Sequence, residues 1–391
     1  MSDEFFPAGH TTILAKWIQD GLHHSLQLAE IDVLTQTLCQ DDDLCAVWGM
    51  SYEEDHQFGY EFTSYRLQLL RDSWGDLQGC LMGLGIDPLD GPILDTLWRW
   101  WLPFAEYLAW RVAQQNINHP PLIQGVLGVQ GTGKTTLGMV MEILLAHLGY
   151  SCLSLSLDDF YKTHAQQQAL RAEKPQLIWR GPPGTHDVDL AIDVLTKLKQ
   201  GAIPVEIPQF DKSMHEGQGD RTTAKLCRHL PNVVLFEGWF VGAQPLPLER
   251  LEPWLPPIMT ALDRQFAMDI NQELGAYLPL WACLDGLVVI KPTDYQYSLE
   301  WRLEAERKLR AHSLSGMSDQ QVKDFVHYFW KALHPQRFVQ GLISQNNRKP
   351  DLSVANDDIG RKIMAADVRS PKLDFVVEFG AKRQLIGVWT S

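Results

Sequence analysis

The segment GVQGTGKT at residues 128–135 has the residue types and spacing of a phosphate-binding loop. It matches the pattern G-x-x-x-x-G-K-[ST], follows an apolar stretch that predicts a strand at 122–129, and precedes a predicted helix from 135 to about 148. Glycines let backbone N–H groups approach phosphate oxygens, and the helix N-terminus adds a favourable dipole. We predict that these residues bind ATP: Gly128, Gly131, Thr132, Gly133, Lys134, Thr135 and Thr136.

Two residues of this loop have separate expected roles. The Lys134 ammonium would reach the β- and γ-phosphates and take part in catalysis, and the Thr135 hydroxyl would bind Mg²⁺. The alternative is a glycine-rich turn that binds nothing. The order strand, loop, helix is the one that the phosphate-binding motif requires, so it favours the functional interpretation.

Two adjacent carboxylates end the next predicted strand, SCLSLSLDD at residues 151–159. Ligands of open parallel sheets bind beyond the carboxyl ends of the strands. Asp158 is therefore expected opposite the phosphate loop, where it accepts a hydroxyl proton or helps to hold the metal ion. Asp159 is expected to face away from the polar side of the strand and to stabilise the turn. Whether Asp158 also contacts Mg²⁺ stays open.

A third apolar strand, predicted in NVVLFEGWF at residues 232–240, ends near Glu237. An acidic residue at the end of a hydrophobic strand beside a phosphate-binding loop is typical of a Mg²⁺ site, with direct or water-mediated contact. A structural role for Glu237 is the alternative.

Cationic side chains lie on the two polar loops WRGPPGTHD (179–187) and PQFDKSMHEGQGDR (208–221). Arg180 and Arg221 have the forked guanidinium that recognises a carboxylate, and Lys212 could neutralise charge on the transferred phosphoryl group. The first loop also contains Thr185 or Asp187 as the expected N-cap of the next helix.

Composition excludes several classes of function. The chain has 391 residues and a formal net charge of −14, which disfavours nucleic-acid binding because phosphates would be repelled. It has no apolar run of about 18 residues, so no membrane span is expected. The N-terminus resembles neither a signal nor a transit peptide. The six cysteines are scattered, which indicates free thiols and a cytoplasmic location.

The charge is concentrated in the first part of the chain, which suggests a domain boundary. Residues 1–120 contain 18 acidic and 5 basic residues. We expect an acidic helical domain at 1–118 and a second domain at 119–391 that contains the phosphate-binding loop. Seven of the 14 tryptophans lie in the first region, and a helix-packing core explains them better than a ligand surface.

Six segments, GVQGTGKTT, LSLDDFY, WRGPPGTHD, PQFDKSMHEGQGDR, LFEGWF and LVVIKPTDYQYSLEWRLEAERKL, occur in the order found in plant- and cyanobacterial-type D-glycerate 3-kinases. The chain resembles this family over about residues 120–330. The family belongs to the P-loop kinase group with uridine kinase, phosphoribulokinase and bacterial pantothenate kinase. The RG-x-x-GTHD and FDKS…G-x-GDR stretches are the part that resembles glycerate kinase in particular.

The resemblance implies an α/β fold, with a P-loop NTPase-type parallel sheet flanked by helices and an all-helical N-terminal region. It implies phosphorylation of D-glycerate at the 3-hydroxyl by ATP and Mg²⁺, as in photorespiration. Asp158 would be the general base and Glu237 would support Mg²⁺ in a kinase domain at 119–391, while Arg302, in a lid helix within a lid region at about 295–315, would contact phosphate. The residues expected to line the glycerate side are Arg180, His186, Lys212 and Arg221.

Alternatives stay open at several points. A related kinase would act on a nucleoside, pantothenate or a sugar phosphate, and a non-catalytic nucleotide-binding regulator would need only the P-loop. The lid helix could instead be a salt-bridged surface with Glu304–Lys308 and Glu306–Arg310 pairs. From residue 336 onward the resemblance thins, and the last 20 residues predict a β-hairpin with a turn at GAKRQ. The sequence leaves the oligomeric state undetermined.

Overall fold

A computed structural model describes residues 9–23, 25–39, 56–115, 119–312, 316–345 and 371–389. The strands in chain order are β1 (Leu122–Gly128), β2 (Cys152–Ser156), β3 (Val205–Asp211), β4 (Asp220–Cys227), β5 (Val233–Gly238), β6 (Gly286–Pro292), β7 (Leu373–Phe379) and β8 (Leu385–Trp389). Six of them form a central sheet in the order β2-β5-β1-β6-β7-β8, and β3 and β4 form a separate antiparallel pair. All pairs of the central sheet are parallel except β7 with β8.

Helices cover the sheet and form the N-terminal region. They are α1 (Gly9–Gln19), α2 (Leu28–Cys39), α3 (His56–Gly83), α4 (Gly91–Thr96), α5 (Leu102–Ala113), α6 (Lys134–His147), α7 (His164–Glu173), α8 (Val188–Lys199), α9 (Leu248–Leu251), α10 (Ala261–Glu273), α11 (Leu278–Trp281), α12 (Tyr297–His312), α13 (Asp319–Ala332) and α14 (Pro335–Gln345). A π turn (Leu97–Trp101) joins α4 to α5, and 3-10 turns (Leu157–Phe160 and Leu274–Tyr277) follow β2 and α10. The predicted α/β fold class is confirmed.

The middle of the sheet is buried on both faces, as in other parallel sheets that helices cover. Every residue of β1 is buried, and the core extends from it to both helical layers. The register brings the ends of three strands together, because Glu237 on β5 lies opposite Val126 on β1 and Ser156 on β2. The loops that leave β1, β2 and β5 therefore meet at one edge.

The N-terminal helices pack on one face of this sheet. Helix α3 packs against α6, and Trp17, Trp98 and Trp100 are almost fully buried in a core that also contains residues of β1 and α6. Trp74 and Trp101 are also buried, as the predicted helix-packing core requires, whereas Trp110 is exposed. The acidic residues 41–43 and 53–55 and the predicted boundary at 118 lie outside the described residues. The division into two domains stays a prediction.

The C-terminal region adds two strands that the sequence only partly predicts. The expected hairpin forms from β7 and β8, and β7 also pairs in parallel with β6, which extends the central sheet. One face of α13 packs into the core, because Val322, Val326 and Phe329 are buried and Phe325 is half-buried. Within the described ranges, the helices are all too short or too polar to cross a lipid bilayer.

Candidate active site

In the loop after β1, two side chains lie close to one backbone carbonyl oxygen of the loop, and the loop leads into the N-terminus of α6. Gly131 and Gly133 have φ angles of +82° and +79°, which suit glycine. The Thr132 hydroxyl donates to the Val129 carbonyl oxygen at 2.8 Å, and the Lys134 ammonium lies 3.4 Å from the same oxygen. The first N–H groups of α6 have no intrahelical acceptor, so this geometry suits an anion.

Asp158 lies in the 3-10 turn, two residues after the end of β2, and not on the strand as the sequence predicts. The turn begins at Ser156, whose hydroxyl accepts a hydrogen bond from the Asp158 N–H at 3.3 Å. The carboxylate accepts from the Tyr161 hydroxyl at 2.7 Å and pairs with the Lys212 ammonium at 2.6 Å. Burial alone would raise the pKa of Asp158, but Lys212 and Tyr161 outweigh burial and lower it. The carboxylate is therefore ionised at neutral pH.

Asp159 has a different environment from its neighbour. Burial raises its pKa to about 6, although backbone N–H groups of Phe210 and Ser156 bind the carboxyl and oppose the rise. These contacts attach the turn to β3. They agree with the expected structural role, which stays a prediction.

Arg180 joins the two polar loops. Its guanidinium donates to the carbonyl oxygens of Gly217 at 2.7 Å and Gln218 at 2.8 Å. It also lies over the rings of Tyr161 and Phe210, at 5.8 and 5.5 Å from their centroids. Arg180 is therefore near Asp158, at the edge of the same site.

Arg221 is close to the site, but protein groups already bind part of its guanidinium. Its Nε donates to the Tyr161 carbonyl oxygen at 2.9 Å, and one Nη pairs with Asp187 at 2.9 Å. Asp187 is also the N-cap of α8, as one of the two predicted possibilities. These contacts leave one terminal nitrogen of the guanidinium without a partner among them. Recognition of a substrate carboxylate by Arg221 stays a prediction.

His186 is buried between aromatic rings. Its Nδ1 lies 2.8 Å from the Tyr277 hydroxyl, and its ring stacks on Tyr161 with a centroid distance of 4.5 Å. Burial lowers the pKa of His186 to about 3, so the ring is neutral. The Lys162 ammonium donates to the His186 carbonyl oxygen at 3.0 Å.

The lid region forms α12, but its ion pairs differ in part from the expected ones. The Glu304–Lys308 pair is present at 2.7 Å. The expected Glu306–Arg310 pair is wrong, because Arg310 pairs with Asp319 at the start of α13 and Glu306 pairs with Arg302 at 2.6 Å. Arg302 therefore forms an ion pair within its own helix, as Glu304 and Lys308 do, and its contact with phosphate stays a prediction.

Comparisons with known proteins place the chain in a family. The chain is 34% identical to "D-glycerate 3-kinase, chloroplastic" of Arabidopsis thaliana over 251 residues, which are 61% of this chain and 52% of that protein. It is 35% identical to "Uncharacterized kinase mug58" of Schizosaccharomyces pombe over 217 residues, 54% of this chain and 78% of that protein. No family model matches the chain.

A solved structure covers more of the fold. The D-glycerate 3-kinase of Cryptococcus neoformans is 30% identical, has a TM-score of 0.61, and aligns with 74% of this chain and 97% of that one. The chain belongs to the P-loop kinase family that contains the D-glycerate 3-kinases. The expected class of enzyme, an ATP-dependent phosphotransferase, is confirmed at the level of this family. The match to the Arabidopsis protein spans about half of that protein's length.

The residues of this family member fit a Mg²⁺ ion that nucleotide phosphates help to hold. Thr135 is exposed at the start of α6, and the half-buried Glu237 is the penultimate residue of β5, opposite Val126 of the strand that leads into the phosphate loop. Hydroxyl and carboxylate oxygens are the ligands that Mg²⁺ prefers. Among the described residues, no cluster of three or more His, Cys, Asp or Glu could hold a metal ion without such help.

Three further residues of this P-loop kinase make contacts at the site that local sequence patterns do not predict. The Tyr161 hydroxyl donates to Asp158. Lys162 is one residue further along the chain and binds the backbone of the first polar loop, at the His186 carbonyl oxygen. Tyr277 reaches His186 across 91 residues of sequence, and no local pattern predicts such a contact.

Proposed function

We propose that the chain transfers the γ-phosphoryl group of ATP to the 3-hydroxyl of D-glycerate, giving 3-phosphoglycerate and ADP. The observation that carries this proposal is the pair formed by Asp158 and Lys212, 2.6 Å apart. In this pair the Asp158 carboxylate would accept the proton of a substrate hydroxyl, and the Lys212 ammonium would attract a substrate carboxylate. D-glycerate has both a hydroxyl and a carboxylate group. Relatives named D-glycerate 3-kinase support the same acceptor.

The nucleotide would bind at the phosphate loop. Backbone N–H groups at residues 131–136 and the Lys134 ammonium would hold the β- and γ-phosphates. Thr135 and Glu237 would hold Mg²⁺, which when bound neutralises charge on the phosphates. The side chains of the loop mainly position the γ-phosphoryl group for in-line attack.

Asp158 would act as the general base. The 3-hydroxyl oxygen forms a bond to the γ-phosphorus as the bond from that phosphorus to the β–γ bridging oxygen breaks, and the hydroxyl proton passes to Asp158. An ionised carboxylate is needed for this step, and the lowered pKa of Asp158 keeps it ionised at neutral pH. Lys134 stabilises the charge that spreads over the phosphoryl oxygens.

The glycerate carboxylate would bind the cations on the two polar loops. Lys212 is 58% exposed, so its side chain can leave Asp158 and pair with the carboxylate of the incoming acceptor. Arg180 and Arg221 would complete the cationic side of the pocket. The acceptor would thereby replace one ion pair by another and uncover the base.

A cytoplasmic location and a part in the recycling of photorespiratory glycerate are also predictions. The Arabidopsis relative is named as chloroplastic, so its name gives no support for the cytoplasm. We predict no binding to nucleic acid or membranes, and we make no proposal on the oligomeric state.

An assay of ADP release over a panel of hydroxy acids, nucleosides, pantothenate and sugar phosphates tests the proposal. We expect turnover with D-glycerate, and mass spectrometry should identify 3-phosphoglycerate. Preference for a nucleoside or a sugar phosphate would favour the related-kinase alternative. Tight ATP binding without turnover of any acceptor would favour the regulator.

A further inference from the structure

One ring nitrogen of His186 has a hydrogen-bond partner and the other has none. Nδ1 lies 2.8 Å from the Tyr277 hydroxyl oxygen. Nε2 is buried and has no hydrogen-bond partner among the described residues. A buried polar atom without a hydrogen-bond partner lowers the stability of the folded protein by about 1–3 kcal/mol. Its presence in a site is therefore better explained by function than by folding.

The hydrogen bonds of Tyr277 determine which nitrogen carries the proton. Its phenolic oxygen accepts the backbone N–H of Gly184 at 2.9 Å, so Gly184 cannot take the phenolic proton. Among the described residues, Nδ1 is the one acceptor within hydrogen-bonding distance of this buried hydroxyl, and a proton on Nδ1 would leave the phenolic proton without an acceptor. Tyr277 therefore donates to Nδ1, and the proton of the neutral ring lies on Nε2.

The His186 ring is held next to the proposed base. An antiparallel backbone bridge joins His186 to Tyr161, and the two rings stack. The Tyr161 hydroxyl in turn donates to Asp158 at 2.7 Å. A bare Nε2 lone pair would be repelled by the nearby carboxylate, whereas an N–H group is attracted to it.

We propose that Tyr277 is a positioning residue that fixes the neutral His186 ring with its proton on Nε2, where it donates to an oxygen atom of the acceptor substrate. This proposal rests on the proposed function, since it assumes that the acceptor binds at Asp158. Burial lowers the pKa of His186 to about 3, so the donor keeps its charge state across the working pH range. The orphan Nε2 is then a group whose partner is the substrate.

Nitrogen NMR of the full chain labelled with ¹⁵N-histidine measures the tautomer directly. The His186 signals are those that disappear in His186→Gln. We expect a bare Nδ1 and a protonated Nε2 from about pH 5 to 9, since the two tautomers give different shifts. In Tyr277→Phe the ring should populate both tautomers. Tyr328→Phe is the matched control, because that buried hydroxyl donates only to the Trp179 carbonyl oxygen, at 3.2 Å.

Kinetics test whether the tautomer matters for the acceptor. Tyr277→Phe should raise the KM for the acceptor about 5- to 30-fold, the effect of one misplaced hydrogen bond, and leave the KM for ATP near wild type. His186→Gln keeps an N–H near the Nε2 position and should retain more activity than His186→Asn. If Tyr277 acts through His186, adding Tyr277→Phe to His186→Gln should change little.

Several outcomes would overturn the proposal. A proton on Nδ1 in the wild type would do so, and so would an unchanged tautomer in Tyr277→Phe. If Tyr277→Phe does not fold, the wild-type spectrum and the His186→Gln and His186→Asn pair decide, and equal losses in that pair contradict the proposal. If D-glycerate is not turned over but the tautomer is as expected, the acceptor assignment fails instead, and the kinetics are repeated with the acceptor that the panel identifies.

Discussion

The indole N–H of Trp301 donates a hydrogen bond to the carbonyl oxygen of Ala381, 2.7 Å away in the turn between β7 and β8. Trp301 is buried and also lies against the phosphate loop, because a Cβ atom at Gly131 would be 3.0 Å from the Trp301 Cβ. The Arg383 guanidinium lies 5.4 Å from the indole ring and pairs with Glu304 at 2.6 Å. One tryptophan thus contacts the phosphate loop and the C-terminal hairpin from its position on α12.

These contacts of Trp301 predict that replacing Arg383 weakens binding of the nucleotide but not of the acceptor. Arg383→Met removes an ion pair and a cation–π contact, each worth about 0.5–1 kcal/mol at a partly exposed site. We expect the KM for ATP to rise about 3- to 10-fold while the KM for D-glycerate changes little. Steady-state kinetics with each substrate varied in turn measure both values.

Lys382→Met is the matched control for Arg383→Met. Lys382 is the preceding residue of the same turn, and its side chain is exposed. It should leave both KM values near wild type. An equal rise in the KM for ATP in both variants would show that loss of positive charge, and not the contact with α12, is the cause.

The sequence predicted the parts of the site that lie within a single loop or strand end. The phosphate loop and Glu237 follow from local patterns, because the same edge of a parallel sheet gathers all strand ends. The contacts of Trp301 with Ala381 and of His186 with Tyr277 join residues 80 and 91 positions apart, and side-chain periodicity holds no information about such pairs. The pairing of β7 with β6 was missed for the same reason.

The ion pairs of Arg302 and its helix show a second limit of prediction from the sequence. Glu306 lies four residues from both Arg302 and Arg310, so spacing alone cannot choose between the two pairs. The choice depends on α13, whose Asp319 binds Arg307 and Arg310 and leaves Glu306 to Arg302. The packing of α13 against α12 thus determines which ion pairs form on α12.

Asp158→Asn tests the general base. The amide keeps the shape of the side chain but cannot accept the hydroxyl proton, so kcat should fall about 10²- to 10⁴-fold. Binding of ATP, measured by calorimetry, should stay nearly unchanged. Asp159→Asn is the control, since its carboxyl contacts backbone N–H groups that an amide oxygen can also bind. Near-normal turnover in Asp158→Asn would exclude the base role.

Lys212→Met tests how the ion pair sets the pH dependence. The ammonium lowers the pKa of Asp158, while burial acts in the opposite direction. Without Lys212 the pKa of Asp158 should rise, so the acid limb of the kcat profile should move to higher pH. The KM for D-glycerate should rise as well, because the cation for its carboxylate is lost.

Lys225→Met is the control for the Lys212 variant. Lys225 is exposed on β4, next to the same loop, and has no ion pair with another described residue. Its removal changes the net charge equally but should leave the acid limb in place. A shift of equal size in both variants would mean that the overall field of the protein, and not the contact with Asp158, controls the profile.

Arg180→Lys separates substrate recognition from loop anchoring. A lysine keeps the charge but loses the fork that binds a carboxylate through two N–H groups, so the KM for D-glycerate should rise about 10-fold while the KM for ATP stays the same. Arg180 also holds the carbonyl oxygens of Gly217 and Gln218, so a looser loop is a rival cause. Arg171→Lys tests that cause, because Arg171 binds the Gln218 side chain at 2.8 Å and makes none of the ring contacts of Arg180. If both variants raise the KM for D-glycerate equally, Arg180 acts by holding the loop; if only Arg180→Lys does, its guanidinium binds the acceptor.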